Sequence, residues 1–331
     1  MIKQTKISWA ISKDTSCALK AVAIILVLIG HLAPPFLPIS EFYIPAKKII
    51  SQVGLNIFMF ISGYGIYKVY LSGGYSPRHF LVRRFLKTWP LYSISIGMYY
   101  IFQVFIFNND ISPASLASHL LGIHVYFGYE NDIMPIFHFI SAITTLYFLT
   151  SLSLFIKKKE YRVILLGLLI IFQSLLFLIT TSNIFFIDYY ATFLIGVIWA
   201  LYCSQKKFAP RILLLCVYLF LLPTDSYKMI IFLTTTISLP FLIKLCHSIL
   251  LVQNLLRRAT LWTGSSSYLI YLGHNYFFWK WSELIQMFNS KITVGAITLI
   301  LTTVWMFILF DTERRFSEAR QILFFNLTSR P

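Results

Sequence analysis

Charged residues are scarce in this sequence: Asp, Glu, Lys and Arg make up 12% of its 331 residues, and only 12 residues are acidic. An ordinary soluble domain has about 25% charged residues, so this composition argues against one. The sequence also lacks a Gly-x4-Gly-Lys-Ser/Thr loop, a His-Glu-x-x-His pair and a Cys-x-x-Cys pair. A P-loop ATPase and a familiar metal enzyme are therefore not indicated, and no metal site is expected.

Apolar residues are abundant instead: 58% of the chain is hydrophobic and the mean hydropathy is +0.74. Runs of about the ~20 apolar residues that span a bilayer recur from end to end. We therefore predict an all-α, polytopic transmembrane bundle of about ten spans, forming a single membrane domain over residues 1–331. The predicted spans are 18–37, 50–71, 89–108, 135–156, 162–181, 184–203, 211–223, 228–250, 267–287 and 292–311.

Basic residues accumulate on alternate loops, whereas the loop 108–134 contains acidic residues and no Lys or Arg. The positive-inside rule then places both termini in the cytoplasm, with residues 312–331 as a short tail. Asp188 and Asp225 mark two further outer loops in this topology. The formal net charge of +16 follows mostly from these short loops, so we do not expect nucleic-acid binding. The same cations suit lipid head groups or an anionic cytosolic ligand.

Lys20 and His31 lie eleven residues apart in the first apolar segment. Eleven residues at 100° each return to almost the same helix face, roughly 16 Å further along. Ionisable side chains at that depth are usually functional. A neutral imidazole there can take a proton from a hydroxyl and return it, so His31 is a candidate general base. The alternative is structural, with His31 packing between helices and Lys20 snorkelling to the interface.

A basic segment, residues 79–90, leads into the third span and contains Arg83, Arg84 and Lys87. Arg83 and Lys87 are four residues apart and share a helix face, and Arg84 lies about 100° away. Guanidinium groups suit phosphate, which makes this segment a candidate anion site. A plain cytoplasmic anchor is the alternative.

Two other spans contain polar side chains among apolar ones. The second span includes Asn56, Ser62 and Gly63, and the small Ser62 and Gly63 permit close helix packing. The first part of the ninth span contains Tyr271 and His274, which are three residues apart and share a face.

Together these segments resemble the acyltransferase 3 family, the integral-membrane O-acetyltransferases of bacterial surface polysaccharides. Lys20 and His31 match the family's pattern of Arg or Lys, ten residues, and His. The family's Gly-Val-Asp-Leu-Phe-Phe-x-x-Ser-Gly-Phe, Arg-Arg-x-x-Arg-x-Tyr-Pro and Ser-Tyr-x-x-Tyr-Leu-x-His segments are similar, in the same order, to residues 54–64, 83–90 and 267–274. The resemblance covers nearly the whole chain.

The chain departs from the family pattern at four places. Lys20, Asn56 and Lys87 stand where Arg, Asp and Arg are commoner, and lysine keeps the charge but not the bidentate fork. Residues 137–142 resemble a Trp-Phe-x-Ser-Ala segment with His138 in place of Trp. His138 is therefore a candidate second functional imidazole, with simple packing as the alternative.

The resemblance implies transfer of an acetyl or other short acyl group from cytosolic acyl-CoA to a sugar hydroxyl of an envelope or exported polysaccharide or its lipid-linked precursor. It implies that Lys20, Arg83, Arg84 and Lys87 hold the phosphates of acetyl-CoA, and that His31 activates the acceptor hydroxyl or helps relay the acyl group. Asn56, Ser62, His138, Tyr271 and His274 are the other candidate site residues. No permanently bound cofactor is expected.

The implied partners are the acyl-CoA donor, a glycan or lipid-linked glycan acceptor, membrane lipids and other polysaccharide-assembly proteins, at the bacterial inner membrane. The family often adds a soluble extracytoplasmic domain, which we do not expect here. Two alternatives remain: a flippase of lipid-linked oligosaccharide, in which buried cations would line a path, and a polysaccharide polymerase, which would display a larger outer loop than residues 108–134.

Overall fold

A computed structural model describes residues 11–32, 43–72, 76–127, 137–181, 187–205, 226–252, 254–274 and 291–328. Helices dominate these ranges and no strand occurs in them, which confirms the all-α prediction. The α-helices are α1 (Lys13–Leu32), α2 (Tyr43–Ser72), α3 (Pro77–Ile101), α4 (Pro113–Leu120), α5 (His138–Ser153), α6 (Lys159–Thr181), α7 (Ile187–Gln205), α8 (Ser226–Val252), α9 (Asn254–Ser265), α10 (Ser267–Gly273) and α11 (Lys291–Thr328).

By length and composition, five helical segments within the described ranges can cross a membrane. They are Lys13–His31, Ile49–Tyr67, Pro77–Ile106, Leu233–Leu251 and Ala296–Glu318. Helices α5, α6 and α7 cover three further predicted spans. The predicted span 211–223 lies outside the described residues, as does most of 267–287, so the count of ten stays a prediction.

The helix starts follow local sequence signals. Ser12 precedes α1, and its hydroxyl accepts a hydrogen bond from the Thr15 amide at 3.0 Å. Ser76 caps α3 in the same way, accepting from the His79 amide at 3.2 Å, with Pro77 in the first turn. Such caps satisfy amides that have no partner within the helix, and proline fits the first turn because its missing N–H is not needed there.

Glycines bring α2 into backbone contact with two neighbours. A Cβ on Gly54 would lie 2.6 Å from the Ala23 carbonyl oxygen of α1. A Cβ on Gly63 would clash with the Phe193 carbonyl of α7, and one on Gly196 would clash with the Phe60 carbonyl. The predicted close packing at Gly63 is thereby confirmed, since only a residue without a side chain fits there.

The segment between α3 and α5 has a polar interior. His119 in α4 and His124 just after it are fully buried, and their rings stack in parallel at 4.0 Å. The Tyr92 hydroxyl donates to the His119 carbonyl at 2.8 Å, and Ser141 lies 3.2 Å from His124 Nδ1. Sequence analysis treats residues 108–134 as an outer loop, and the structure shows that part of this loop packs onto α3 and α5.

Asp188 was interpreted from the sequence as the marker of an outer loop, and this is wrong. The residue lies in the first turn of α7 and its side chain is 3% exposed. The two predicted spans, 162–181 and 184–203, leave only a short connection between them. The Asp188 carboxylate therefore lies inside the helix bundle and not in that connection.

We expect Gly196→Ala to destabilise the protein strongly, because the added methyl group would force α7 away from the Phe60 carbonyl. A loss of about 2 kcal/mol or more is typical of overpacking in a tight interior. The matched control is Gly167→Ala in α6, where a Cβ would meet nothing within 4 Å and helix propensity favours alanine. Thermal unfolding in detergent should show a lower midpoint only for Gly196→Ala, and equal midpoints would contradict the packing described.

We also expect the segment around α4 to loosen in acid. Burial, followed by the charges of His119 and His138, lowers the pKa of His124 to about 2. A histidine in the unfolded chain has a pKa near 6.5, so below that pH the unfolded state binds a proton that the folded state does not bind. The contribution of His124 to the free energy of unfolding is therefore fully present above about pH 6.5. Below that pH the free energy of unfolding falls by up to ~1.4 kcal/mol per pH unit.

Amide hydrogen exchange across residues 113–127 at several pH values measures this loss. Exchange should accelerate at pH 5 relative to pH 7.5, after correction for the intrinsic rate. The variant His124→Asn has no titrating group at this position, so a pH response as steep as that of the parent chain would show that His124 is not the cause.

Candidate functional site

A cavity of about 270 Å³ lies between α1, α2, α3, α5, the end of α9 and α10. We call it the cationic cavity because Lys20, Arg84 and Lys87 line it. No Asp or Glu occurs among the described residues of its wall. The remaining lining residues are Ser16, Phe58, Ile61, Ser62, Gly65, Thr88, Phe139, Ile140, Ile143, Thr144, Tyr147, Gly264, Ser265, Ser267, Tyr268 and Tyr271.

Arg84 is held against aromatic rings at the cavity wall. Its guanidinium carbon lies 5.1 Å from the centre of the Tyr147 ring and 5.5 Å from that of Phe80. A cation–π contact uses the face of the guanidinium, whereas hydrogen bonds to an anion use its edge. The packing therefore positions Arg84 without removing its capacity to bind phosphate.

Helix α10 is tied to the basic helix α3 on the same wall. The Tyr268 hydroxyl donates to the Thr88 carbonyl at 2.9 Å, and the Thr88 hydroxyl donates to the Arg84 carbonyl at 2.9 Å. A glycine permits the neighbouring approach, since a Cβ on Gly264 would clash with the Cys17 carbonyl of α1. These contacts bring Lys20, Arg84 and Lys87 to one cavity although α1 and α3 are distant in sequence.

Tyr271 connects this cavity to two histidines. Its side chain lines the cavity, and its ring centre lies 5.7 Å from that of His274. His274 in turn meets His31 edge to face, with ring centres 5.1 Å apart. The two candidate imidazoles, which come from opposite ends of the sequence, therefore lie side by side. Tyr271 lies between His274 and the cavity.

Backbone hydrogen bonds set the tautomer of both imidazoles. His31 Nδ1 lies 2.8 Å from the Val27 carbonyl oxygen, and His274 Nδ1 lies 2.7 Å from the Tyr271 carbonyl oxygen. A carbonyl oxygen only accepts, so each Nδ1 carries the proton and each Nε2 carries the lone pair in the neutral ring. His274 Nε2 is buried and has no hydrogen-bond partner. Each neutral ring therefore keeps an unprotonated Nε2, which is the form of imidazole that can accept a proton.

Asn56 and His138 belong to a second group, which we call the polar cluster: Gln52, Asn56, His138, Asp188 and Tyr189. The Asn56 amide donates to an Asp188 carboxylate oxygen at 3.3 Å. The Tyr189 hydroxyl donates to Gln52 Oε1 at 2.6 Å and lies 3.1 Å from His138 Nε2. The cluster joins the middle of α2 to the first residues of α5 and α7, whereas the cavity uses later residues of α2 and α5.

The structure therefore sorts the predicted site residues into three places. Lys20, Ser62, Arg84, Lys87 and Tyr271 line the cavity, His31 and His274 lie just beyond Tyr271, and Asn56 and His138 lie in the polar cluster. Arg83 is exposed on α3 and is absent from the cavity wall.

Sequence analysis missed several residues of these groups. Gln52 precedes Asn56 by four residues, so helical spacing alone places the two amides on one face. For Tyr147, Asp188 and Tyr189 no signal was available, because their roles depend on which helices become neighbours.

Comparison with known protein families identifies the family of this chain. The acyltransferase 3 family model, which describes an acyltransferase domain, matches residues 18–311. No curated protein and no solved structure matches the chain. The matched region contains His31, His274 and every lining residue of the cationic cavity except Ser16. On this evidence the chain belongs to the acyltransferase 3 family, and it is a membrane acyltransferase.

Proposed function

We propose that the chain is an O-acyltransferase that moves an acetyl or other short acyl group from cytosolic acyl-CoA to a sugar hydroxyl of an envelope polysaccharide or its lipid-linked precursor. The observation that carries this proposal is the continuity through Tyr271, which lines the cationic cavity and packs against the pair of His31 and His274. Three cations on the cavity wall, with two neutral imidazoles one residue behind that wall, suit an anionic donor whose reactive end points toward the histidines.

The cavity chemistry supports acyl-CoA as the donor. Phosphates would contact Lys20, Arg84 and Lys87, because oxygen anions prefer guanidinium and ammonium donors and no described acidic residue opposes them on the wall. Hydroxyls of Ser62, Thr144 and Ser267 would serve the polar groups of the pantetheine arm. A volume of about 270 Å³ is small for a whole cofactor, so the nucleotide end would remain at the cavity mouth.

The reaction requires two successive transfers of the same proton. His31 Nε2 would take the proton of the acceptor hydroxyl while its oxygen attacks the thioester carbonyl. As the carbon–sulfur bond breaks, the imidazolium would return that proton to the departing thiolate, so that an ester and free coenzyme A result. The bond from His31 Nδ1 to the Val27 carbonyl would orient the ring and stabilise its protonated form.

The proposed setting is the bacterial inner membrane, with about ten spans and both termini in the cytoplasm. The alternating basic loops support this topology. In this topology the basic start of α3, which contributes Arg84 and Lys87 to the cavity, would lie on the side where acyl-CoA is made. Membership of an acyltransferase family favours this function over the flippase and the polymerase. Membrane lipids, and the proteins that assemble the polysaccharide, are proposed as further partners.

The proposal is tested by supplying radiolabelled acetyl-CoA to inside-out membrane vesicles that contain the chain, and then extracting the envelope glycan and its lipid-linked precursors. Label should appear in the glycan and should be released by mild base, as an ester is. Vesicles without the chain give the background. Label at background level in every glycan fraction would refute acyl transfer to these acceptors.

We expect His31→Ala to lower the transfer rate by about 10²- to 10⁴-fold with little change in the KM for acetyl-CoA, because general-base catalysis contributes about that much. His79→Ala is the matched control, since this histidine is half-buried at the start of α3 and away from the cavity. A His31→Ala protein that melts like the parent chain yet transfers at the full rate would remove His31 from the mechanism.

We expect Arg84→Gln to raise the KM for acetyl-CoA by roughly tenfold or more, since a hydrogen bond to a charged group contributes about 1.5–3 kcal/mol. Arg84→Lys keeps the charge but loses the bidentate guanidinium fork, so its KM should fall between those of the parent chain and Arg84→Gln. Arg78→Gln is the control, because Arg78 is exposed on the same helix and does not line the cavity. Equal KM values for the variants at Arg78 and Arg84 would contradict phosphate binding in the cavity.

A further inference from the structure

Three aromatic side chains form a continuous part of the wall of the cationic cavity. Tyr271, Phe139 and Phe58 all line the cavity. The ring centres of Tyr271 and Phe139 lie 5.3 Å apart, and those of Phe139 and Phe58 lie 6.2 Å apart. Tyr271 also packs against His274, so this aromatic part is the portion of the wall that adjoins the imidazole pair. In the proposed reaction the acyl group of the donor would lie beside these rings.

Helix α5 separates this aromatic part from the arginine. Phe139 and Tyr147 both line the cavity and lie eight residues apart on α5, a distance of about 12 Å along a helix. Arg84 packs against the Tyr147 ring. Between these two positions the lining residues of α5 include Ile140 and Ile143. A donor whose phosphates bind Arg84 would therefore extend its uncharged end over an apolar surface toward Phe139.

Rings from three helices hold Phe139 in place. Its neighbours are Tyr271 on α10, Phe58 on α2 and Tyr189 on α7, whose ring centre lies 6.0 Å away. Phe139 is 8% exposed, and Tyr189 behind it is fully buried. An interior packed in this way does not widen to admit additional atoms without strain. The aromatic part of the wall is therefore a fixed boundary of the cavity.

We propose that Phe58 and Phe139 limit the length of the acyl group, so that the cavity accepts acetyl-CoA in preference to thioesters with longer chains. A hydrophobic pocket of fixed size discriminates by about 10- to 200-fold between chains that differ by one methylene. This role of the two rings rests on the proposed function, since it requires an acyl-CoA in the cavity. It extends that function by naming the residues that select the acyl chain.

The affinities of coenzyme A, acetyl-CoA, butyryl-CoA and hexanoyl-CoA for the full chain, purified in detergent, test this limit. Isothermal titration calorimetry measures them in the absence of an acceptor. The parent chain should bind acetyl-CoA at least about tenfold more tightly than hexanoyl-CoA, because the longer chain has to displace fixed rings. Coenzyme A gives the affinity that the rest of the donor contributes.

Two variants enlarge the cavity at the proposed boundary. Phe58→Ala removes a half-buried ring from α2, and Phe139→Leu removes part of the more deeply buried ring on α5. In each variant the affinity for hexanoyl-CoA, divided by that for acetyl-CoA, should rise by roughly tenfold. The new apolar space can hold the longer chain, and burial of each methylene adds about fourfold to an affinity. A purely structural role of the rings would weaken all the thioesters alike.

Phe148→Ala is the matched control. Phe148 lies on α5 next to Tyr147, is 53% exposed and does not line the cavity. Its loss should leave the ratio of the two affinities at the parental value. The same ratio is then measured as transfer of labelled acetyl and hexanoyl groups in the vesicle assay, where both enlarged variants should gain hexanoyl transfer relative to acetyl transfer.

Parental binding of hexanoyl-CoA as tight as that of acetyl-CoA would overturn the acyl limit, as would a parental affinity ratio in both Phe58→Ala and Phe139→Leu. Should Phe58→Ala fail to fold, Phe139→Leu decides the question. In these outcomes coenzyme A still binds, so the proposed donor stands. Failure of coenzyme A and all its thioesters to bind the parent chain would instead refute the proposed donor, and the acyl limit with it.

Discussion

Backbone contact along α2 is the constraint on which the rest of the structure depends. Gly54 brings α2 against α1, while Gly63 and Gly196 bring it against α7. In a membrane domain, helix association relies on close van der Waals packing, because lipid tails are as apolar as the side chains they replace. Residues without side chains at the crossings give the closest approach, and they fix where every other side chain of α2 points.

The same helix carries residues of both polar regions. Ser62 faces the cationic cavity, whereas Gln52 and Asn56 face the polar cluster one to three turns away. Between these regions lie aromatic rings, with Phe58 and Phe139 in contact at 6.2 Å and Phe139 next to Tyr271. The Phe139 ring also lies 6.0 Å from Tyr189, so aromatic rings lie between the lining of the cavity and the polar cluster.

Much of this protein was accessible from local patterns. Low charge and long apolar runs indicated a helical membrane domain, and the spacing of Lys20 and His31 put them on one helix face. Serine and proline marked the start of α3. The inferences on fold class and on the start of α3 succeed because hydropathy and capping act within one segment. The prediction for Asp188 was wrong because a carboxylate in an apolar sequence is assigned to a loop. In the structure Asn56, on another helix, donates a hydrogen bond to this carboxylate.

By itself the sequence determined the fold class, which follows from composition and hydropathy, and the family, which follows from the resemblance of its motifs in their order along the chain. Only the tertiary structure decided that Arg84 and Lys87 line the cavity while Arg83 does not, and that His31 meets His274 at 5.1 Å. It also decided that Gln52, His138 and Tyr189 form one hydrogen-bonded group. Those juxtapositions join residues from helices far apart in sequence, and they depend on crossing points that short-range patterns do not encode.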